Sequence, residues 1–250
     1  MSVKLRMSSI AVFLRMLAET FKSVSNIVLP RICPVCGRRL SAGERAICTA
    51  CSLSLPYTRF GARRNNPVER LFLGRFPLTR ASAYIFYQRA TDTRNMIFSL
   101  KYLRHPQIGV ELGKRMAAEL MSRGFFEGID VIVPVPLARR RERRRGYNQS
   151  LMIARGIGSV AGISVDNGLL LRIVDNPTQT MRTAKQRLEN VEGIFRAVNE
   201  ERIRGRHVLL VDDVVTTGAT ITACADRLVA AGARTISVLT LAASSSVGVF

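Results

Sequence analysis

One segment constrains the fold of this chain more than any other: residues 207–220 read HVLLVDDVVTTGAT. An apolar strand runs into two adjacent aspartates, Asp212 and Asp213, and a short loop of threonine and glycine then leads into a helix. Strands that alternate with helices build parallel α/β sheets, and such sheets bind their ligands at the carboxyl ends of the strands. We therefore expect this loop to be a binding site.

The same alternation extends over most of the chain. In chain order we predict a strand at 81–88, helices that begin near Asp92 and at Pro106, a strand at 130–135, a helix at 148–160, a strand at 207–211, a helix at about 219–231 and a strand at 235–242. This order predicts an α/β fold with a parallel sheet flanked by helices. Gly156, Gly158 and Gly162 fall in or after a helix, so we do not expect a dinucleotide-binding loop there.

The residue types of the loop suit a phosphate group. Free backbone N–H groups at a helix N-terminus attract a phosphate dianion, and the hydroxyls of Thr216, Thr217 and Thr220 add donors. Gly218, followed by the small Ala219, lets the backbone approach the ligand closely. Residues 216–220 are thus our candidate phosphate site.

Asp212 and Asp213 would repel that phosphate, so we expect them to face something else. Ribose hydroxyls donate hydrogen bonds to carboxylates, and an Mg²⁺ ion nearby would offset the negative charge. Successive strand residues point to opposite faces, so both carboxylates reach one ribose only if the backbone turns at Asp213.

Four of the five cysteines form two Cys-x-x-Cys pairs separated by eleven residues: Cys33, Cys36, Cys48 and Cys51. Each pair can direct two thiolates at one tetrahedral ion, and Gly37 permits the tight turn after the first pair. We predict a closed structural metal site, with zinc as the expected ion and iron as the alternative. The remaining cysteine, Cys224, lies in an apolar helical pattern and is expected to be a buried thiol.

The N-terminal 30 residues place apolar side chains at helical spacing and include Arg15 within the apolar run. We predict an amphipathic helix here rather than a signal peptide or a transmembrane segment, and a cytoplasmic protein with reduced cysteines. The expected domains are this helix at 1–30, a zinc ribbon at 31–57, a linker at 58–77 and the α/β domain at 78–245.

The formal charge of +20 implies anionic partners. Six arginines surround Glu142 in the run 139–145, next to a strand end that finishes in VPVPL. Their charge could stabilise a departing pyrophosphate, or it could bind the backbone of single-stranded DNA, with Tyr147 stacked on a base. A solvated basic rim of the site is the alternative, and Lys101 is either a phosphate ligand or a surface lysine.

VLLVDDVVTTGAT resembles the phosphoribosyl-diphosphate (PRPP) motif of type I phosphoribosyltransferases, and the chain as a whole resembles the ComF (competence protein F) family. The quoted elements are CPVCG with CTAC, LKY at 100–102, VPVPL at 133–137, RRRGYNQS at 143–150, and PTQTMRTAKQRLENVEGIF at 177–195. The resemblance implies a type I phosphoribosyltransferase fold with an N-terminal zinc ribbon, and a role in the uptake or processing of DNA.

The resemblance also implies residue roles. Asp212 and Asp213 would hold the ribose of PRPP, residues 216–220 its 5′-phosphate, and the turn from Pro136 through Leu137 to Arg139 its pyrophosphate. Thr178–Arg187 would be a mobile loop over the site.

Two functions remain open at this stage. One is a Mg²⁺-dependent phosphoribosyltransferase, and the other is a PRPP-sensing or single-strand-binding accessory protein that does not catalyse the transfer. We expect the pocket for the acceptor near residues 75–105.

Overall fold

A computed structural model describes residues 31–88, 92–102, 105–174 and 193–248. The predicted N-terminal helix at 1–30 and the predicted loop Thr178–Arg187 lie outside these ranges. The α-helices of the described ranges are α1 (Thr49–Ser54), α2 (Pro67–Arg70), α3 (Asp92–Tyr102), α4 (Pro106–Met121), α5 (Arg139–Arg145), α6 (Gln149–Ala161) and α7 (Ala219–Ala230). The strands are β1 (Leu78–Tyr87), β2 (Val131–Pro134), β3 (Leu170–Arg172), β4 (Phe195–Ala197), β5 (His207–Val215) and β6 (Thr235–Ser244).

Four strands form one parallel sheet in the order β1-β6-β5-β2. The carboxyl ends of β2 and β5 are therefore neighbours, since Val131 pairs with Val208 and Pro134 with Val211. A separate antiparallel pair, β3 with β4, stands apart from this sheet. The predicted fold class, a parallel sheet flanked by helices, is confirmed.

Helices cover both faces of the sheet. The first layer consists of α3, α4 and α6, which pack on one apolar cluster with Leu209, Val211 and Leu239. The second layer contains α7, α2 and the β3–β4 pair, which pack with Val208 and Leu210. Because β5 is buried on both of its faces, its sequence is almost continuously apolar.

Side chains along a strand normally point to alternate faces of the sheet, and this alternation is interrupted at the same level in β1, β5 and β6. In β5, Val211 and Val214 both pack against the first layer although they are three residues apart. In β6 the adjacent residues Leu241 and Ala242 do so as well. Ala242 pairs with both Val214 and Ile85, and Ile85 packs there too, so β1 takes part in the same change. The regular alternation of β5 is therefore interrupted between Val211 and Val214, the stretch that contains both aspartates.

Two helices of the first layer pack with backbone in close contact. A Cβ atom on Gly113 of α4 would lie 2.2 Å from the carbonyl oxygen of Ile153, and one on Gly156 of α6 would lie 2.0 Å from that of Val110. Only glycine fits such spacing. These glycines serve helix packing.

The segment at 58–77 carries one helical turn, α2, begun by the side chain of Asn66, which accepts hydrogen bonds from the N–H groups of Val68 and Glu69. Val68 and Phe72 are fully buried in the second layer. This segment therefore contributes to the core of the α/β fold. The domain boundaries themselves remain a prediction.

Candidate functional site

Both aspartates at the end of β5 are held by side chains from the first layer. The hydroxyl of Ser150, on α6, donates a hydrogen bond of 2.9 Å to Oδ1 of Asp212. The ammonium of Lys101, on α3, lies 3.0 Å from Oδ2 of Asp213. Both carboxylates thus contact side chains of the first layer.

Asp212 is held in a setting that disfavours its charge. Burial, followed by the negative charge of Asp213, raises its pKa from the ordinary 3.8 to about 7. The N–H of Asp213 and the hydroxyl of Ser150 donate hydrogen bonds to it, and they oppose the shift together with the charge of Lys101. A ligand that donates hydrogen bonds, or a cation, would favour the ionised form.

The loop after β5 presents its threonines outward. Thr216, Thr217, Ala219 and Thr220 are exposed, whereas Gly218 is buried and has a φ of +77°. A Cβ atom on Gly218 would lie 2.7 Å from a ring carbon of Phe72. Glycine is therefore required here by both conformation and space. The first N–H groups of α7 follow directly, as a phosphate site requires.

The turn after β2 lies beside these acids. The N–H of Val135 donates to the carbonyl of Val211 at 2.9 Å, and the amide of Asn148 donates to the carbonyl of Val135 at 3.0 Å. Pro136 and Leu137 follow, half-buried, and α5 begins at Arg139. The turn and the helix border a cavity of about 560 Å³.

The arginine run forms the short helix α5, which ends at Gly146 with a φ of 85°. Five of its six arginines are exposed, and Arg145 is half-buried. The guanidinium of Arg145 donates to the side chain of Gln149 at 2.7 Å and lies 5.4 Å from the ring centre of Tyr102.

An aromatic pair on α3 lies next to these arginines. The rings of Phe98 and Tyr102 are 4.7 Å apart and are exposed by 52% and 46%. Arg144 also lies over the Tyr102 ring, at 6.0 Å. The exposed Phe98–Tyr102 pair and the arginines of α5 thus form one continuous surface.

Tyr147 is anchored within the protein through its hydroxyl, and its stacking on a base remains a prediction. Its hydroxyl donates a hydrogen bond of 2.5 Å to the carbonyl of Leu100, and burial raises its pKa to about 12. The contact ties the start of α6 to the end of α3. Lys101, the next residue, is thereby held toward Asp213.

The four cysteine sulfurs lie within 4.8 Å of one another. Cys36 and Cys48 have their sulfurs 3.8 Å apart, which is about the spacing expected for two thiolates on one tetrahedral zinc with Zn–S bonds of ~2.3 Å. The N–H groups of Cys48 and Cys51 donate to the sulfurs of Cys33 and Cys48, both at 3.4 Å. The N–H of Cys51 is the main cause that lowers the pKa of Cys48 to about 6. The predicted cluster thus fits a metal ion.

The ribbon rests on the first layer. Val35, Leu40 and Ile47 belong to the same buried cluster as α3 and α4. Arg115 of α4 donates to the hydroxyl of Ser52 at 2.7 Å, which adds a polar contact. The fifth cysteine, Cys224, is fully buried in α7, where burial raises its pKa.

The structure brings together the acids, the 216–220 loop, the Pro136–Arg139 turn and Lys101 at one edge of the sheet. Their roles toward a ligand remain predictions. Ser150 was not predicted as a site residue, although it ends the quoted motif RRRGYNQS, because only the packing of α6 brings it to Asp212. No helix in the described part of the chain is long and apolar enough to cross a membrane.

This parallel sheet carries two adjacent aspartates at its carboxyl edge, followed by the loop 216–220. That arrangement defines the class of the phosphoribosyltransferases. The model of the phosphoribosyl transferase domain family matches residues 160–247.

Among curated relatives, the DNA utilization protein YhgH of Escherichia coli K12 is 30% identical over 223 residues, which cover 85% of this chain and 96% of the relative. Competence protein ComFC of Bacillus subtilis is 28% identical over 211 residues, covering 84% and 77%. Competence protein F of Haemophilus influenzae is 36% identical over 114 residues, covering 45% and 50%. This chain belongs to the ComF family.

Solved phosphoribosyltransferases are also similar to this chain. Glutamine PRPP amidotransferase from B. subtilis is 22% identical with a TM-score of 0.42, and the match covers 58% of this chain and 30% of that one. An adenine phosphoribosyltransferase is 16% identical with a TM-score of 0.37, covering 58% and 76%.

Proposed function

We propose that this chain binds PRPP with Mg²⁺ and transfers the phosphoribosyl group to an acceptor, in a process that uses or takes up DNA. The observation that carries the proposal is the pair Asp212 and Asp213, held by Ser150 and Lys101 directly before a phosphate-type loop. The names of the curated relatives, DNA utilization protein and competence protein, support the wider process.

Each group at the carboxyl edge of the sheet would contact one part of PRPP. Asp212 and Asp213 accept hydrogen bonds from the ribose hydroxyls, and residues 216–220 hold the 5′-phosphate through N–H and hydroxyl donors. Pro136 to Arg139 places a cation beside the pyrophosphate that departs from the anomeric carbon. Mg²⁺ would neutralise part of that pyrophosphate charge when bound. Lys101 orients Asp213 before the ligand arrives.

We propose zinc as the ion of the four-cysteine cluster and the cytoplasm as the location of the protein. Four thiolates at tetrahedral spacing are a closed set, so the ion would be structural. Thiols stay reduced, and thus available to a metal, in a reducing compartment.

The first experiment measures PRPP binding by calorimetry with Mg²⁺, and then pyrophosphate release with a panel of amines and bases. We expect the double variant Asp212→Asn, Asp213→Asn to lose affinity by roughly 100-fold, because each charged hydrogen bond contributes about 1.5–3 kcal/mol. Glu201→Gln, an exposed acid far from the loop, is the control.

The outcomes separate the two forms of the proposal. Pyrophosphate release that disappears in the double variant supports a transferase. Tight PRPP binding without release on any acceptor supports a PRPP-sensing protein that does not transfer. Absence of PRPP binding in the wild type contradicts both.

A second candidate function is binding of single-stranded DNA through Arg139–Arg145. The exposed Phe98–Tyr102 pair beside Arg144 favours it, because bases stack on aromatic rings while arginines neutralise the backbone.

We test this with Arg141→Ser, Arg144→Ser and with Phe98→Ala, measured by fluorescence anisotropy on a labelled oligonucleotide over a series of salt concentrations. The arginine variant should weaken binding and flatten the log–log salt slope by about 0.7 for each lost phosphate contact. Phe98→Ala should weaken binding without changing the slope. Unchanged affinity in both variants would refute DNA binding at this surface.

A further inference from the structure

The two adjacent aspartates at the end of β5 share a cation that the chain itself supplies. The ammonium of Lys101 lies 3.0 Å from Oδ2 of Asp213, and the two side chains are exposed by only 24% and 15%. Oδ1 of Asp212 accepts hydrogen bonds from the hydroxyl of Ser150 at 2.9 Å and from the N–H of Asp213 at 2.8 Å. Each carboxylate thus already has a partner within the protein.

Lys101 lies where it opposes the binding of a divalent cation. Carboxylate oxygens are the ligands that Mg²⁺ and Mn²⁺ prefer, and two of these carboxylates are adjacent. A metal ion bound to Oδ2 of Asp213 at about 2.1 Å would lie within about 5 Å of the ammonium nitrogen. Positive charges at such a spacing repel each other, and they do so more strongly in a largely buried site than in water.

The fold fixes the position of this ammonium. Leu100, the residue before Lys101, is fully buried on α3, and its carbonyl accepts a hydrogen bond from the hydroxyl of Tyr147. Tyr147 lies just before α6, the helix that carries Ser150. The same helix start therefore anchors the partners of both aspartates, so Lys101 is a built part of the site rather than a mobile surface charge.

We propose that Lys101 is a built-in counter-ion that keeps free divalent metal ions off Asp212 and Asp213. In the proposed function, on which this consequence rests, PRPP then brings Mg²⁺ into the site, because its phosphates carry the negative charge that offsets both cations. Lysine suits this role, since its flexible four-carbon stem lets the ammonium withdraw from Asp213 when a ribose hydroxyl takes its place.

The test measures the binding of Mn²⁺ alone to the full-length protein, through the electron paramagnetic resonance signal of the free ion. One equivalent of zinc is supplied first to fill the cysteine cluster, and Mn²⁺ takes oxygen ligands as Mg²⁺ does. We expect weak binding by the wild type. Lys101→Gln should bind Mn²⁺ about tenfold or more tightly, because the repulsion is removed. A gain of binding cannot result from a loss of folding.

Three further variants locate the effect. Lys101→Arg keeps the positive charge and should bind Mn²⁺ as weakly as the wild type. Asp213→Asn in the Lys101→Gln background should abolish the gain. Lys114→Gln is the matched control, because Lys114 lies 2.9 Å from the single carboxylate of Glu111 on α4, and its removal should produce no gain.

The outcomes separate this inference from the proposed function. A gain in Lys101→Gln that Asp213→Asn abolishes supports the inference. Equal Mn²⁺ affinity in the wild type and in Lys101→Gln overturns it, and so does a gain that persists without the Asp213 carboxylate. Because no PRPP is present, the measurement does not depend on the proposed function. If the gain appears and PRPP does not bind to the wild type, the proposed function fails while the role of Lys101 toward metal ions stands.

Discussion

At the scale of single residues, Asp212 is the most informative side chain. Its pKa of about 7 means that ionisation near neutral pH costs free energy in the folded chain, whereas the same group ionises freely in the unfolded chain. The cost arises from burial and from Asp213. A residue kept at such a cost in the free protein is typical of a binding site.

The sign of the pH effect follows. The folded chain holds a proton on Asp212 between about pH 4 and pH 7 that the unfolded chain has lost, so stability falls as the pH rises through this window. Asp212→Asn removes the charge, and its Oδ1 still accepts hydrogen bonds from Ser150 and from the N–H of Asp213. We expect the variant to be more stable than the wild type at pH 8 by about 1–2 kcal/mol, with a smaller gain at pH 5.

Urea unfolding at both pH values measures this. Glu201→Gln, an exposed acid, should show no such pH-dependent gain. A destabilised Asp212→Asn at pH 8 would show that the carboxylate stabilises the free protein, contrary to this account.

At the scale of elements, the close contact of α4 with α6 places Ser150 and Tyr147 at the sheet edge. Gly156→Ala puts a methyl group 2.0 Å from the carbonyl oxygen of Val110, so the two helices must separate. We expect a loss of about 3 kcal/mol or more, or failure to fold, measured by thermal unfolding. Gly43→Ala is the control, since nothing lies within 4 Å of a Cβ there. Equal melting temperatures for both variants would contradict the packing.

How far the sequence predicts the structure differs between elements. Strands β2, β5 and β6 and helices α6 and α7 were predicted to within a few residues, because their apolar patterns and end signals are local. The helix α5 was not predicted, since a run of six arginines has no apolar face from which to read a helix. The interruption of the alternation between Val211 and Val214 is also invisible in the sequence, because it involves three strands together.

The candidate site was predicted in part for the same reason. The acids, the 216–220 loop and the Pro136–Arg139 turn are contiguous motifs. Tertiary packing alone places three further groups near the carboxyl edge of the sheet: Ser150, the β3–β4 pair and the Phe98–Tyr102 pair. No local sequence pattern indicates where they lie.

At the scale of the whole molecule, the ribbon and the α/β fold share one core. The buried cluster runs from Cys33 and Ile47 to Leu100 and Leu239 without interruption. Loss of the metal should therefore destabilise the α/β fold as well as the ribbon.

Metal removal tests this. We expect the purified chain to hold close to one zinc ion, and a strong chelator to lower the melting temperature by roughly 10 °C or more. Cys36→Ser should have the same effect without a chelator, because Cys36 is exposed and its substitution costs little packing. The chelator should then cause no further change in that variant. A second, separate transition for the ribbon alone would contradict the shared core.

The strand order also sets the sequence of events in folding. Strand β6 lies between β1 and β5, so β1, made early in synthesis, finds its neighbour only when residues 235–244 have left the ribosome. Contacts between distant parts of a chain form slowly. Until β6 has been made, the unpaired strand β1 is prone to aggregation. The ribbon, whose ligands lie within 19 residues from Cys33 to Cys51, can bind its ion long before that. We expect nascent chains that stop before residue 235 to carry metal and to bind no PRPP.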